Sequence, residues 1–225
     1  MSDPSAFDYY ARKKHDHDHA HDAHAPVVEQ DEGPPSDYEI MSRAMQELLE
    51  AKGVITADEV RHRMETFEEE FPYRGSRVIA RAWTDPAFRK RLLKDGKAAC
   101  AEMGVELEAE RLIAVENTPE VHNLIVCTLC SCYPRALLGM PPTWYKSTNY
   151  RSRVVFEPRA VLKEFGTVLP EHVTVRVHES NADMRYVVVP MRPKGTDGWN
   201  EEKLAEILTR DTLVGVTVPK VPTKG

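Results

Sequence analysis

Three of the four cysteines in this 225-residue chain fall within six positions, Cys127-Thr128-Leu129-Cys130-Ser131-Cys132. A disulfide framework spreads its cysteines so that each bridge closes a loop. Sulfurs this close in sequence converge on one point instead, which suits a metal ion or redox chemistry. The loop follows the apolar run His122-Asn123-Leu124-Ile125-Val126, read as a short buried strand whose end can aim ligands from a rigid support. The remote Cys100 sits in a helical stretch and reads as a small buried hydrophobe.

Cys130 and Cys132 are one residue apart, so two backbone nitrogens, those of Ser131 and Cys132, lie between their sulfurs. If both amides lose their protons, the order sulfur, nitrogen, nitrogen, sulfur closes three fused chelate rings in a nearly planar array. Cys127 can then add an axial thiolate, and the opposite axial position stays open to water or substrate. Zinc prefers four tetrahedral ligands from well-separated Cys/His pairs, and no second pair lies near this loop. Thiolates with deprotonated amides favour a small, highly charged transition ion, and trivalent cobalt or iron fits. A bare CxxC is equally consistent with a redox pair. CxxCSC is much narrower.

Around the loop the chain divides into three parts. Residues 1–35 carry prolines, few aliphatics and the run His15-Asp16-His17-Asp18-His19, and read as a disordered tail, either merely solvated or able to capture a divalent metal transiently. A helical arm is expected over 36–106. Its capping signatures are Ser36-Asp37-Tyr38-Glu39, with a stop at Gly53, and Thr56-Ala57-Asp58-Glu59, starting a helix to about Phe71. A third helix spans about Gly75 to Trp83, and Asp85-Pro86 opens a fourth ending near Gly104. Residues 107–225 form the metal-binding part, with strands at Leu112–Val115, Leu124–Val126, Val173–Val177 and Tyr186–Val189. Helices are expected around Pro142–Tyr150, Pro158–Phe165 and Glu201–Thr209. Strands grouped after helices imply an α+β fold, a mixed α/β layered domain behind a helical arm.

The net charge of -6, without a basic stripe, argues against nucleic acid as a partner. No apolar run of about 18 residues exists to span a bilayer, and the N-terminus lacks the order of a secretory signal. A cytoplasmic location follows as the expectation.

The segment Val126-Cys127-Thr128-Leu129-Cys130-Ser131-Cys132-Tyr133-Pro134 resembles the metal loop of nitrile hydratase α subunits. The resemblance extends through Trp144-Tyr145-Lys146-Ser147, Tyr150-Arg151-Ser152-Arg153-Val154-Val155 and Glu157-Pro158-Arg159. It resumes at Arg185-Tyr186 and Arg192-Pro193-Lys194-Gly195-Thr196, and covers most of residues 36 to 220. It implies one cobalt(III) per chain, with iron(III) as the alternative, since Thr128 matches the cobalt-type loop where iron-type relatives carry serine. It implies that Cys127, Cys130, Ser131 and Cys132 hold the metal, with Cys130 oxidised to a sulfinic acid and Cys132 to a sulfenic acid. Cys132, Cys130 and Ser131 would form the catalytic group. A β-type companion subunit would supply cations to the oxidised sulfurs and complete the active site. Glu179, Asp183 and Arg185 fall in a segment similar to one that supports the loop in the family; such outer groups orient ligands and tune the metal.

One departure concerns substrate. Cobalt-type nitrile hydratases follow Tyr-Pro with tryptophan, whereas this chain has Arg135, a cation that favours an anion. The γ subunit of thiocyanate hydrolase is similar in its Tyr-Pro-Arg order and its His/Asp-rich tail. Two enzymatic expectations therefore stand, hydration of a small nitrile to its amide first, and hydrolysis of thiocyanate to carbonyl sulfide and ammonia second. A non-catalytic metal carrier, suggested by the histidine tail, is the reading of another class.

Overall fold

A computed structural model of the chain describes residues 37–60, 73–107, 111–129 and 132–222. The His/Asp-rich run, most of the helix expected after Thr56, and both Cys130 and Ser131 lie outside the described residues.

The described N-terminal part is helical, as its capping residues dictate. Helix α1 spans Asp37–Ala51 and stops at Gly53, whose positive φ of 67° suits a residue without a Cβ. At Thr56 the capping box is closed in both directions: the Glu59 amide donates to the Thr56 hydroxyl at 3.1 Å, and the Thr56 amide to the Glu59 carboxylate at 2.8 Å. Helix α2 spans Gly75–Thr84. Asp85 then caps α3, Pro86–Lys94, by accepting from the amides of Ala87 and Phe88.

The single helix expected from Asp85 to Gly104 is two. The chain breaks at Asp95, which caps α4, Gly96–Glu102, by accepting from the Ala98 amide at 3.0 Å. A Cβ on Gly96 would lie 2.6 Å from the Leu112 carbonyl oxygen, so the break lets backbone meet backbone where the helix crosses the first strand. Helices α2 to α4 contribute Val78, Ile79, Phe88, Leu92 and Cys100 to the same core as the strands. Helix α1 differs: Ile40, Met41, Met45 and Leu48 form an exposed apolar stripe along it.

Strands β1, Arg111–Glu116, and β2, Val121–Val126, are joined by four residues, and so are β3, Thr174–Glu179, and β4, Met184–Val189. Neither pair closes as a hairpin. β1 pairs with β4 and β2 with β3, both in parallel, giving two two-stranded sheets. Each short connection is therefore an arc between sheets. Parallel partners require long crossovers, and the one from β2 to β3 carries the cysteine loop and the helices α5 (Arg135–Leu138), α6 (Thr143–Lys146), α7 (Thr148–Phe156) and α8 (Pro158–Glu164). The helix expected over Pro142–Tyr150 is thus split at Ser147, whose hydroxyl accepts from the Tyr150 amide and caps α7. Helices α9 (Glu201–Glu206) and α10 (Arg210–Val214) close the chain over the core. The fold is mixed α/β. No helix among the described residues is long and apolar enough to cross a membrane.

Candidate metal centre

The cysteine loop leaves the carboxyl end of β2. In parallel sheets ligands gather at this end, because the strands terminate together and their loops converge. Cys127, the first residue past the strand, is buried, and Cys132 is half-buried. Between them Thr128 and Leu129 are exposed.

Both flanks of the loop are held by buried tyrosines from the crossover helices. The Tyr150 hydroxyl donates to the Ile125 carbonyl at 2.6 Å, and the Tyr145 hydroxyl donates to the Cys132 carbonyl at 2.9 Å. Both rings are completely buried and packed on Trp144. Burial pushes both phenol pKa values far up, so the hydroxyls stay neutral donors. Next to Cys132, the Tyr133 hydroxyl is buried and without a hydrogen-bond partner among the described residues.

A third anchor comes from β3. Glu179 ends that strand opposite Val126, and its carboxylate accepts from the Thr128 amide at 2.9 Å and the Thr128 hydroxyl at 2.7 Å. Parallel pairing brings this about, since it sets the last residue of β3 beside the first turn of the loop. A fourth contact runs from the Arg151 guanidinium on α7 to the Thr128 carbonyl at 3.4 Å. Beside it a cleft of about 370 Å³ is lined by Thr128, Thr148, Arg151, Ser152, Val155 and Phe156.

The other expected site residues are placed as follows. Arg135 opens α5, half-buried, three positions beyond Cys132. Asp183 lies exposed in the arc between β3 and β4, where its amide donates to the Asn181 side chain and its carbonyl accepts from Arg111. Arg185 is half-buried on β4 opposite Leu112, with a 3.4 Å contact to the Met184 carbonyl and a buried Nε that has no partner among the described residues. Of the three outer residues, Glu179 is the one with a described hydrogen bond to the loop. Sequence reasoning gave Tyr145, Tyr150 and Arg151 no role; their only signal was that they fall within stretches resembling the family.

Beneath the loop, β2 and its neighbours enclose a chain of polar side chains. His178 Nε2 lies 2.8 Å from Asn123 Oδ1, and Asn123 Nδ2 donates to Asn117 Oδ1 at 2.9 Å. Asn117 Nδ2 is 3.3 Å from His122 Nδ1, and His122 Nε2 is 2.6 Å from the Gly215 carbonyl. Burial depresses the pKa of both histidines, for His178 with help from the neighbouring Arg176 charge. Cys100, far from the loop and fully buried, has its thiol pKa pushed up to about 12 by desolvation, as expected of an inert packing residue.

Fold and site together define a mixed α/β protein that carries a cysteine loop at the carboxyl end of a parallel strand pair, pinned at both flanks and at its first turn. The sequence matches the family model "Nitrile hydratase, alpha chain" over residues 36–217, and the chain belongs to that family. The low-molecular weight cobalt-containing nitrile hydratase subunit alpha of Rhodococcus rhodochrous is 48% identical over 206 residues, spanning 90% of this chain and 99% of that protein. Thiocyanate hydrolase subunit gamma of Thiobacillus thioparus is 44% identical over 208 residues, 87% of this chain and 84% of its own length. Among solved structures, a recombinant thiocyanate hydrolase comprising partially modified cobalt centres aligns with a TM-score of 0.69 at 43% identity, over 83% of this chain and 91% of that one.

Proposed function

We propose that this chain is the metal-bearing α-type subunit of a cobalt nitrile hydratase, which hydrates a small nitrile to its amide. The observation that carries the reading is the anchored Cys127–Cys132 loop, in a chain 48% identical to a cobalt-containing nitrile hydratase subunit.

The residues fit a trivalent ion. The Thr128 amide is engaged by Glu179 and the Cys132 carbonyl by Tyr145, so these groups are satisfied without a metal. The donors we assign are the sulfurs of Cys127, Cys130 and Cys132 and the backbone nitrogens of Ser131 and Cys132. When bound, cobalt(III) supplies Lewis acidity that polarises the carbon–nitrogen triple bond.

The chain's own groups do the rest. Cys130 as a sulfinate and Cys132 as a sulfenate would carry negative oxygens on sulfurs of the donor set, facing the substrate and the companion subunit. The Cys132 oxygen serves as nucleophile toward the nitrile carbon, or as the base that takes a proton from an attacking water. Tyr145, Tyr150 and Glu179 keep the loop from relaxing while charge develops on the substrate nitrogen, which is worth most where the groups are preorganised. Arg185 and Asp183 are retained as outer supports of the β3–β4 arc. A β-type companion subunit completes the active site and holds the oxidised sulfurs with cations, in a cytoplasmic hetero-oligomer with one cobalt per chain. The strand pairs and their covering helices form the layers of the catalytic part.

The second reading is a thiocyanate hydrolase γ subunit. Arg135 favours it, since a cation three residues past Cys132 suits an anionic substrate, and so does the 44% identity to such a subunit. The complex of this chain with its companion should release amide from a small nitrile, with little carbonyl sulfide and ammonia from thiocyanate. The reverse outcome selects the second reading. A complex inert toward both, with no sulfur-to-cobalt(III) charge-transfer band, leaves only a metal carrier.

A further inference from the structure

We propose that His178 is a positioning residue: its hydrogen bond to Asn123 locks the register of β3 on β2 and thereby sets Glu179 beneath Thr128.

Every proton in the polar chain can be assigned from backbone groups, which are unambiguous donors or acceptors. The Glu116 carbonyl only accepts, and it lies 2.8 Å from Asn123 Nδ2; this fixes the Asn123 amide orientation, so its Oδ1 must accept from His178 Nε2. The Asn123 amide donates to Asn117 Oδ1 at 2.8 Å, which leaves Asn117 Nδ2 to donate toward His122 Nδ1. His122 Nε2 then carries the proton given to the Gly215 carbonyl. The chain therefore runs in one direction, from β3 through β2 to the end of α10, with both histidines protonated on Nε2 and His122 neutral because its Nδ1 accepts.

Hydrophobic patterning alone does not set this register. Along β3, Val175 and Val177 face inward while Thr174 and Arg176 face out. Such alternation has a period of two, so it opposes a one-residue slip but not a slip by two. β2 is buried at every position from His122 to Val126 and offers no exposed side chain to veto one. The backbone bonds of the ladder carry no side-chain identity, so they do not by themselves single out one register. A two-residue slip would carry Glu179 about 6.6 Å along the strand, beyond reach of Thr128. It would also leave Asn123 Oδ1 buried without its donor, a cost an apolar pair could not impose. Selection of one register by a polar pair, where apolar packing alone leaves the choice open, is an established use of such pairs in coiled coils; here Asn123 is buried and His178 half-buried.

The test is amide hydrogen exchange in the full-length chain with two polar substitutions that differ in reach. In His178→Gln the side-chain amide nitrogen falls where Nε2 stood, and in His178→Asn it falls short. Glu179→Ala supplies the exchange rate of an unanchored Thr128 amide. His178→Asn should exchange the Thr128 amide about tenfold faster than the parent, approaching Glu179→Ala, while His178→Gln stays near the parent. Protection in β1 and β4 should be unchanged in both. Equal Thr128 protection in the Asn and Gln variants overturns the proposal, and so does a uniform loss across all four strands, which marks a purely structural residue. The consequence for metal loading rests on the function proposed above, but the exchange result does not: a chain that never takes up cobalt would sink that function and leave this measurement standing.

Discussion

Tyr145 shows how much of the centre depends on single atoms. Its ring is packed between Tyr133 and Trp144, so Tyr145→Phe keeps the packing and removes one hydroxyl, leaving the Cys132 carbonyl without that donor. A loss of about 1 to 3 kcal/mol is expected, concentrated at the loop. Cobalt per chain should fall and Cys132 should be alkylated faster, as read by mass spectrometry, with the far-UV spectrum unchanged. Glu179 permits a graded comparison: Glu179→Gln keeps an oxygen to accept from Thr128 and should retain most of the metal, whereas Glu179→Leu should lose most of it. Equal metal content in the two would contradict the anchoring role. At this scale the cysteine loop stood out in the sequence because the donors proposed for it sit in one contiguous stretch. Glu179 was legible only by resemblance, because 51 residues separate it from Thr128. His178 and Asn117 carried no signal, since a lone polar residue near a strand looks the same whether or not it has a buried partner.

Among elements, the strands were readable from their valines, but their pairing was not. Alternation says which face is buried and nothing about direction or partner, so it could not show that the two four-residue connections are arcs between sheets. The break at Asp95 escaped for a related reason. Ala98, Ala99 and Ala101 all favour helix, and only the close approach of Gly96 to Leu112 requires the turn. Gly215 makes the corresponding demand at the end of α10, with φ at 95° and the Asn123 carbonyl 2.1 Å from where a Cβ would stand. Gly215→Ala should therefore destabilise the fold by about 3 kcal/mol or more, combining left-handed strain with displacement of β2. A urea midpoint within error of the parent would contradict that packing.

For the molecule as a whole, the buried histidines couple stability to pH. The folded pKa of His122 lies below its ordinary value because burial penalises the charged ring, while the unfolded chain takes up a proton near pH 6.5. Below that value the unfolded state binds more protons than the folded state, so stability present at higher pH is lost as pH falls toward the folded pKa. His178 acts in the same direction. The urea midpoint should drop between pH 7.5 and pH 6, and a flat profile over that interval would contradict neutral histidines in the core. The exposed apolar stripe of α1 stands outside the core that stabilises the rest.

The function proposed for this chain depends on one loop holding one trivalent ion. Elemental analysis of the active complex tests that directly: the account requires one cobalt per copy of this chain, and active material containing neither cobalt nor iron would contradict it.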